Sequence, residues 1–150
     1  MNFILVHPML KRETKNVGMT GNVERHEIQN SPYPYLDRIK DGEKKYEGRL
    51  GNKVEPKSKE NPKGWDLFIG KEMIFFDKEN PDSWVWIKVT SLPRYANFGE
   101  AFDDLGSKLI PGKTREEVVE LYNGLFDLSE IAKNGVVAIG FDVLGYVQAV

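Results

Sequence analysis

Gly42-Glu43-Lys44-Lys45-Tyr46-Glu47-Gly48-Arg49-Leu50 is the most informative stretch of the chain. Lys44–Leu50 alternates as a β-strand, with Gly42 placed to end whatever precedes it. Side chains on a strand point to opposite faces in turn, so Lys45, Glu47 and Arg49 are expected on one face and Lys44, Tyr46 and Gly48 on the other. A carboxylate and a guanidinium two residues apart then lie side by side. The guanidinium is a planar donor for phosphate or carboxylate, and the carboxylate orients it or acts as a base. Read by its residues alone, the same pattern also fits a solvated strand or an internal ion pair.

The elements around this strand follow from local signals. On its N-terminal side, Phe3–Val6 reads as a strand, Lys11–Asn22 as a polar loop or arm, and Glu24–Gln29 as a short strand. Ser31-Pro32 looks like an N-cap followed by proline at the first helical position, which predicts a helix to about Asp41 with Tyr35, Leu36 and Ile39 at helical spacing. On its C-terminal side, residues 52–64 are rich in Lys, Pro and Asn and hold no apolar period, which predicts a long exposed loop. Ile69–Glu72 is a turn before a strand Met73–Phe76, and Asn80-Pro81-Asp82 is a second turn. Trp84–Thr90 is aromatic or β-branched almost throughout and predicts a strand. Asn97 is placed to cap a helix through Leu105. Thr114 and Glu117 have capping-box spacing at the head of a helix reaching about Leu125. Asp127–Lys133 adds a short helix, Asn134-Gly135 stops it, and Val136–Val143 is a buried strand. Strands and helices are mixed without regular βαβ alternation, so the fold class is α+β, or a small mixed barrel with helices outside.

Composition bounds the chemistry. The 150 residues fit one domain, in the division 1–22 as an arm or extra strand and 23–150 as the domain proper, and a chain of that size buries enough core to need no staple. There is no cysteine, which removes disulfides, thiol nucleophiles and thiolate metal sites, and there are only two histidines. Any chemistry therefore falls on lysine, arginine and carboxylates, with no cofactor or metal expected. No stretch reaches the ~18 apolar residues of a membrane span, and the start lacks a basic n-region, so a cytoplasmic protein with no membrane partner is expected. The formal charge of −2 hides a segregation: Arg38–Lys63 carries nine basic against five acidic residues, a net of +4, and Glu100–Glu130 three against eight, a net of −5. Segregated charge of this kind is either a binding surface or two sets of solvated faces.

The ordered motifs resemble the ASCH domain family, which has a PUA-like fold, over roughly Arg25 to Val143. The resemblance begins at His26-Glu27-Ile28 and Pro34–Ile39 and centres on Gly42-x-Lys44-x-x-Glu47-x-Arg49-Leu50, the family's G-x-K-x-x-E-x-R pattern. Ile69–Phe76 is similar to its G-D-x-I-x-F segment, with Lys71 where aspartate is usual. Val89–Tyr95 with Phe98, then Leu109–Thr114 with Glu116-Glu117, and finally Gly135–Ile139 are similar to the passages that follow. The resemblance implies a β-barrel with flanking helices, a cleft beside the motif strand, and an association with RNA. Some members of the family bind RNA, some cleave it, and a small branch hydrolyses acetylated cytidine. In that branch the catalytic lysine falls at Lys44, but the threonine nucleophile falls at Glu47, and its glutamate lies near Pro111-Gly112, where this chain has none. A carboxylate does not simply replace an alcohol nucleophile.

The expected partner is therefore RNA, a nucleotide or a modified nucleoside, bound by Lys44, Glu47 and Arg49 with Lys45, Tyr33, Trp65 and His26 as further candidates. In an enzyme, Lys44 and Glu47 would be catalytic. His26 offers a general base or, preferably, a satisfied core histidine. Tyr33 and Tyr95 offer rings for a base, Tyr35 is expected to pack, and Trp65, beside the lysine-rich loop, is the better stacking ring. Trp84 and Trp86 are expected in the core or barrel wall. Asp103-Asp104 is either a cation site or, by default, a solvated helix end.

Overall fold

A computed structural model describes residues 3–5 and 23–149, so the polar arm expected at Lys11–Asn22 lies outside the described residues. The fold is mixed α+β. Its elements are β1 (Phe3–Leu5), β2 (Glu24–Ile28), α1 (Tyr35–Lys40), β3 (Tyr46–Leu50), β4 (Glu72–Asp77), β5 (Trp84–Ser91), β6 (Arg94–Tyr95), α2 (Phe98–Leu105), α3 (Arg115–Leu125), α4 (Leu128–Asn134) and β7 (Val136–Ala149). Hydrogen-bonded strand order is β1-β7-β5-β4-β2, with β3 and β6 also pairing with β7. The β2–β4 pair is parallel and the β1–β7, β3–β7, β4–β5 and β6–β7 pairs are antiparallel.

The described residues form two compact units, one holding those up to Gly42, Gly70–Lys88 and those from Asp142 on, the other Glu43–Ile69 and Val89–Phe141. In the first unit, Leu36 and Ile39 of α1, Met73, Ile74 and Phe75 of β4, and Val85 and Ile87 of β5 form the core. Burial alternates along β5, as side chains on a strand point to opposite faces in turn, with Val85, Ile87 and Val89 inward. Trp84 and Trp86 lie on the other face, partly buried against Ile74, Val147 and Val23, and the Trp86 indole donates to Glu72 at 2.8 Å. They thus belong to the wall and not to the innermost core.

The α1 helix begins later than the Ser31-Pro32 signal predicts. A residue that precedes proline is disfavoured in the helical region, and Tyr33 precedes Pro34, so the helix cannot extend back through it. The N-cap residue, Pro34, offers no side-chain acceptor, and the side-chain oxygen of Asn30 upstream accepts from the Asp37 N–H at 3.0 Å. Gly42 follows the helix at φ +87°, where a side chain would strain the backbone.

In the second unit, β3 and β6 flank the first half of β7, whose Val136–Ile139 run is fully buried. The helices stand at their predicted starts. Asn97 accepts from the Glu100 N–H at 2.9 Å. Thr114 and Glu117 form the complete capping box, and Asp127 caps α4. Phe98 of α2 stacks on Tyr122 of α3, ring centroids 3.9 Å apart, and both lie against Gly48 of β3. A Cβ at Gly48 would fall 2.8 Å from the Tyr122 hydroxyl. The glycine thus lets the aromatic pair approach the back of the motif strand.

Candidate functional site

The site is built on β3 and the segment after it, within the second unit. Glu47 and Arg49 are registered to Ile139 and Val137 of β7 and share one face, as strand alternation requires. The Arg49 guanidinium lies 3.1 Å from the Glu47 carboxylate and also donates to the Gly48 carbonyl at 3.0 Å. Its orientation is therefore set by two acceptors, one charged and one neutral.

Lys44 departs from the expected alternation. The strand ladder begins at Tyr46, so Lys44 precedes it and is not bound to the opposite face. Its side chain is 1 % exposed; its ammonium donates to the Leu109 carbonyl and lies 3.7 Å from the same Glu47 oxygen that Arg49 holds. Burial pushes the Lys44 ammonium below the ordinary lysine range; Glu47 opposes this and Arg49 adds to it. The carboxylate of Glu47 thus sits between two cations, one buried and one reaching the surface. Lys45 is exposed, and its backbone spans Lys108 and Phe141 through N–H and carbonyl bonds of 2.8 and 3.4 Å.

Trp65 joins this cluster from the loop. The Arg49 guanidinium carbon is 5.5 Å from its ring centroid and the Lys53 ammonium 4.5 Å. Aromatic faces attract cations at this range, more so where water is partly excluded. Lys53 comes from the short 3-10 turn Gly51–Lys53, and its ammonium also donates to the Lys63 carbonyl at 2.8 Å. Burial, and then the charges of Arg49 and Lys63, push Lys53 down to about 8. Arg94 of β6 is registered to Val137, the residue that pairs with Arg49 across the other edge of β7. Its guanidinium lies where a Cβ on Gly51 would reach it, at 2.6 Å.

Lys44, Glu47, Arg49 and Trp65 are thus brought together. His26 and Tyr33 belong to the first unit. His26 is not a core histidine: it lies on β2, partly exposed, 3.1 Å from the Glu24 carboxylate, which Lys71 also pairs at 3.0 Å. Tyr33 stacks on Tyr35 with centroids 5.7 Å apart. Tyr95 donates to Asp104 at 2.6 Å, which together with burial raises its pKa, and Asp103 pairs with Arg115 at 2.7 Å. The two aspartates are therefore engaged with protein groups, and no cluster of three or more metal-binding side chains occurs among the described residues. Likewise no helix among them is long and apolar enough to cross a membrane.

Lys53, Lys63 and Arg94 were not singled out by motif. The first two stand in the basic loop, whose irregular backbone gives no periodicity to read, and Arg94 reaches the group through strand register.

No protein-family model matches the chain, and no curated protein matches it. Among solved structures, the chain is similar to the crystal structure of hypothetical protein PH0355, at 27 % identity and a TM-score of 0.58, covering 80 % of this chain and 99 % of that one. It is also similar in fold to the solution structure of protein PF0455 from Pyrococcus furiosus, at 24 % identity and a TM-score of 0.55, covering 80 % of this chain and 97 % of that one.

Proposed function

We propose that the protein is a binding module of the ASCH type, with a PUA-like barrel, that takes RNA or a nucleotide at Arg49 and Trp65. The supporting observation is the geometry of Arg49: held by Glu47 at 3.1 Å and set over Trp65, it is an oriented planar donor beside an aromatic ring. Such a donor suits a phosphate or a base edge, and ring and guanidinium planes both stack bases. Lys44 serves this site from below, as the buried countercharge of Glu47.

Wild-type protein is expected to bind single-stranded RNA with an affinity that falls as salt rises. Arg49→Ala should weaken binding roughly tenfold and reduce the slope of log affinity against log salt by about 0.7, one phosphate contact on a single strand. Identical weak binding by wild type and Arg49→Ala in a salt titration would remove the proposal.

Hydrolysis of an acylated nucleoside is a second reading, favoured by the juxtaposition of the Lys44 ammonium and the Glu47 carboxylate at 3.7 Å, an amine and a carboxylate able to share a proton. Under it, acetylcytidine incubated with the protein releases cytidine, and Lys44→Ala with an unchanged circular-dichroism spectrum abolishes release. The absence of turnover in wild type leaves the binding reading alone.

A further inference from the structure

The loop after β3 carries Lys53, Lys57, Lys59 and Lys63 against Glu55 and Glu60, and its backbone is closed on itself. The Trp65 N–H donates to the Lys53 carbonyl at 2.9 Å, the Asp66 N–H to Glu55 at 3.0 Å, and the Asn61 side chain to Asn52 at 2.9 Å. A Cβ on Gly64 would fall 2.4 Å from the Glu55 carbonyl, so the two limbs touch there. Closure places Lys53 and Trp65, twelve positions apart in the chain, side by side. The Lys53 ammonium donates to the backbone of Lys63. Neither Lys53 nor Lys63 has a carboxylate partner among the described residues, while the Glu47 carboxylate is shared by Arg49 and Lys44.

Cations gathered on a defined loop repel one another in the free protein, and an anion bound among them relieves that repulsion. The charges of Arg49 and Lys63 that bear on Lys53 are this repulsion, and burial of Lys53 enlarges its cost. We infer that Arg49, Lys53 and Lys63 form a phosphate subsite at Trp65, so that the ligand is a phosphorylated nucleotide or a phosphodiester strand and not a neutral nucleoside. The inference rests on the nucleotide-binding reading above and narrows it to the charged ligands. Lys53 is faced by Arg49, Lys63 and the Trp65 ring, and phosphate is the group that completes this set.

The test is a calorimetric titration of the full chain with the four ribonucleoside 5′-monophosphates, the four nucleosides, inorganic phosphate and a random RNA hexamer lacking a terminal phosphate. Monophosphates and hexamer are expected to bind roughly tenfold or more tightly than nucleosides, the margin of a charge-assisted hydrogen bond. Lys53→Gln and Lys63→Gln should each remove most of that margin. Lys63→Gln keeps the carbonyl that Lys53 uses, so the loop stays closed in that variant. An anion favours protonated Lys53, so the monophosphate affinity of wild type should fall as pH rises past about 8, and Lys53→Gln should lose that dependence. A monophosphate that outbinds the hexamer assigns the subsite to a terminal phosphate; the reverse assigns it to the strand. Nucleosides binding as tightly as monophosphates, or a margin untouched by both lysine variants, would overturn the subsite while nucleotide binding stands. Failure of every ligand overturns both.

Discussion

Glu47→Ala is expected to destabilise the protein by about 3–5 kcal/mol, the usual cost of stripping one partner from a buried ion pair. The Lys44 ammonium is 1 % exposed and its carboxylate partner stands 3.7 Å away, so the variant leaves a buried charge without that partner. Total stability of such a domain is about 5–15 kcal/mol, so the urea midpoint should fall by about a fifth or more. Lys44→Met is expected to cost less. It removes the buried charge itself and leaves Glu47 paired with Arg49, which is closer to solvent, at 3.1 Å. In the double variant Lys44→Met/Glu47→Ala the two losses should not add, because the second substitution removes a group that no longer has a buried partner. Urea unfolding of the four proteins reads the coupling. A Glu47→Ala variant within about 1 kcal/mol of wild type would mean that the pair does not hold the strand, since that is the range of an exposed pair.

Gly51→Ala should be nearly as damaging, for a different reason. A Cβ at this position lies 2.2 Å from the Asn134 backbone oxygen and 2.6 Å from the Arg94 guanidinium. The guanidinium can swing away, but the carbonyl belongs to the end of α4 and cannot. The Gly51 N–H also donates to the Gly135 carbonyl at 2.9 Å, so separating the two segments breaks this bond as well. Overpacking against backbone costs about 3 kcal/mol or more, which in a chain of this length lowers the melting temperature by roughly 6–12 °C. Gly48→Ala is the comparison. Its nearest neighbours are side-chain atoms of Tyr122, at 2.8 Å, and Phe98, at 3.1 Å, which yield more readily than backbone does. A smaller loss of about 1–2 kcal/mol is expected there. If thermal unfolding ranks the two variants the other way, the close contact between the Gly51 turn and α4 is misplaced. Because that turn carries Lys53, Gly51→Ala should also weaken the binding of monophosphates.

The helix starts at Asn97, Thr114 and Asp127 were legible because a cap joins residues two or three positions apart and asks nothing of the rest of the chain. The start of α1 was not, because the Ser31-Pro32 signal competes with the restriction that Pro34 places on Tyr33. The site divides in the same way. Strand alternation puts Glu47 beside Arg49 from sequence alone, and that pair forms. Alternation fails for Lys44, which lies before the ladder and turns toward Glu47 to reach an acceptor at Leu109. His26 reads as a core residue by type, yet β2 leaves it partly exposed beside Glu24.

By itself the sequence determined the α+β class, most helix caps, the β5 strand and the Glu47-Arg49 pair, all of which depend on neighbours within a few positions. Tertiary structure decided the rest. Lys53 and Lys63 join Trp65 only when the loop closes through backbone hydrogen bonds between residues far apart in the chain, and Arg94 joins Arg49 only through the register of two strands on β7. The near-neutral total charge therefore conceals a local excess of cations. That excess appears only when the fold assigns Glu47 to Lys44 and Arg49 and gives Lys53 and Lys63 no carboxylate partner among the described residues.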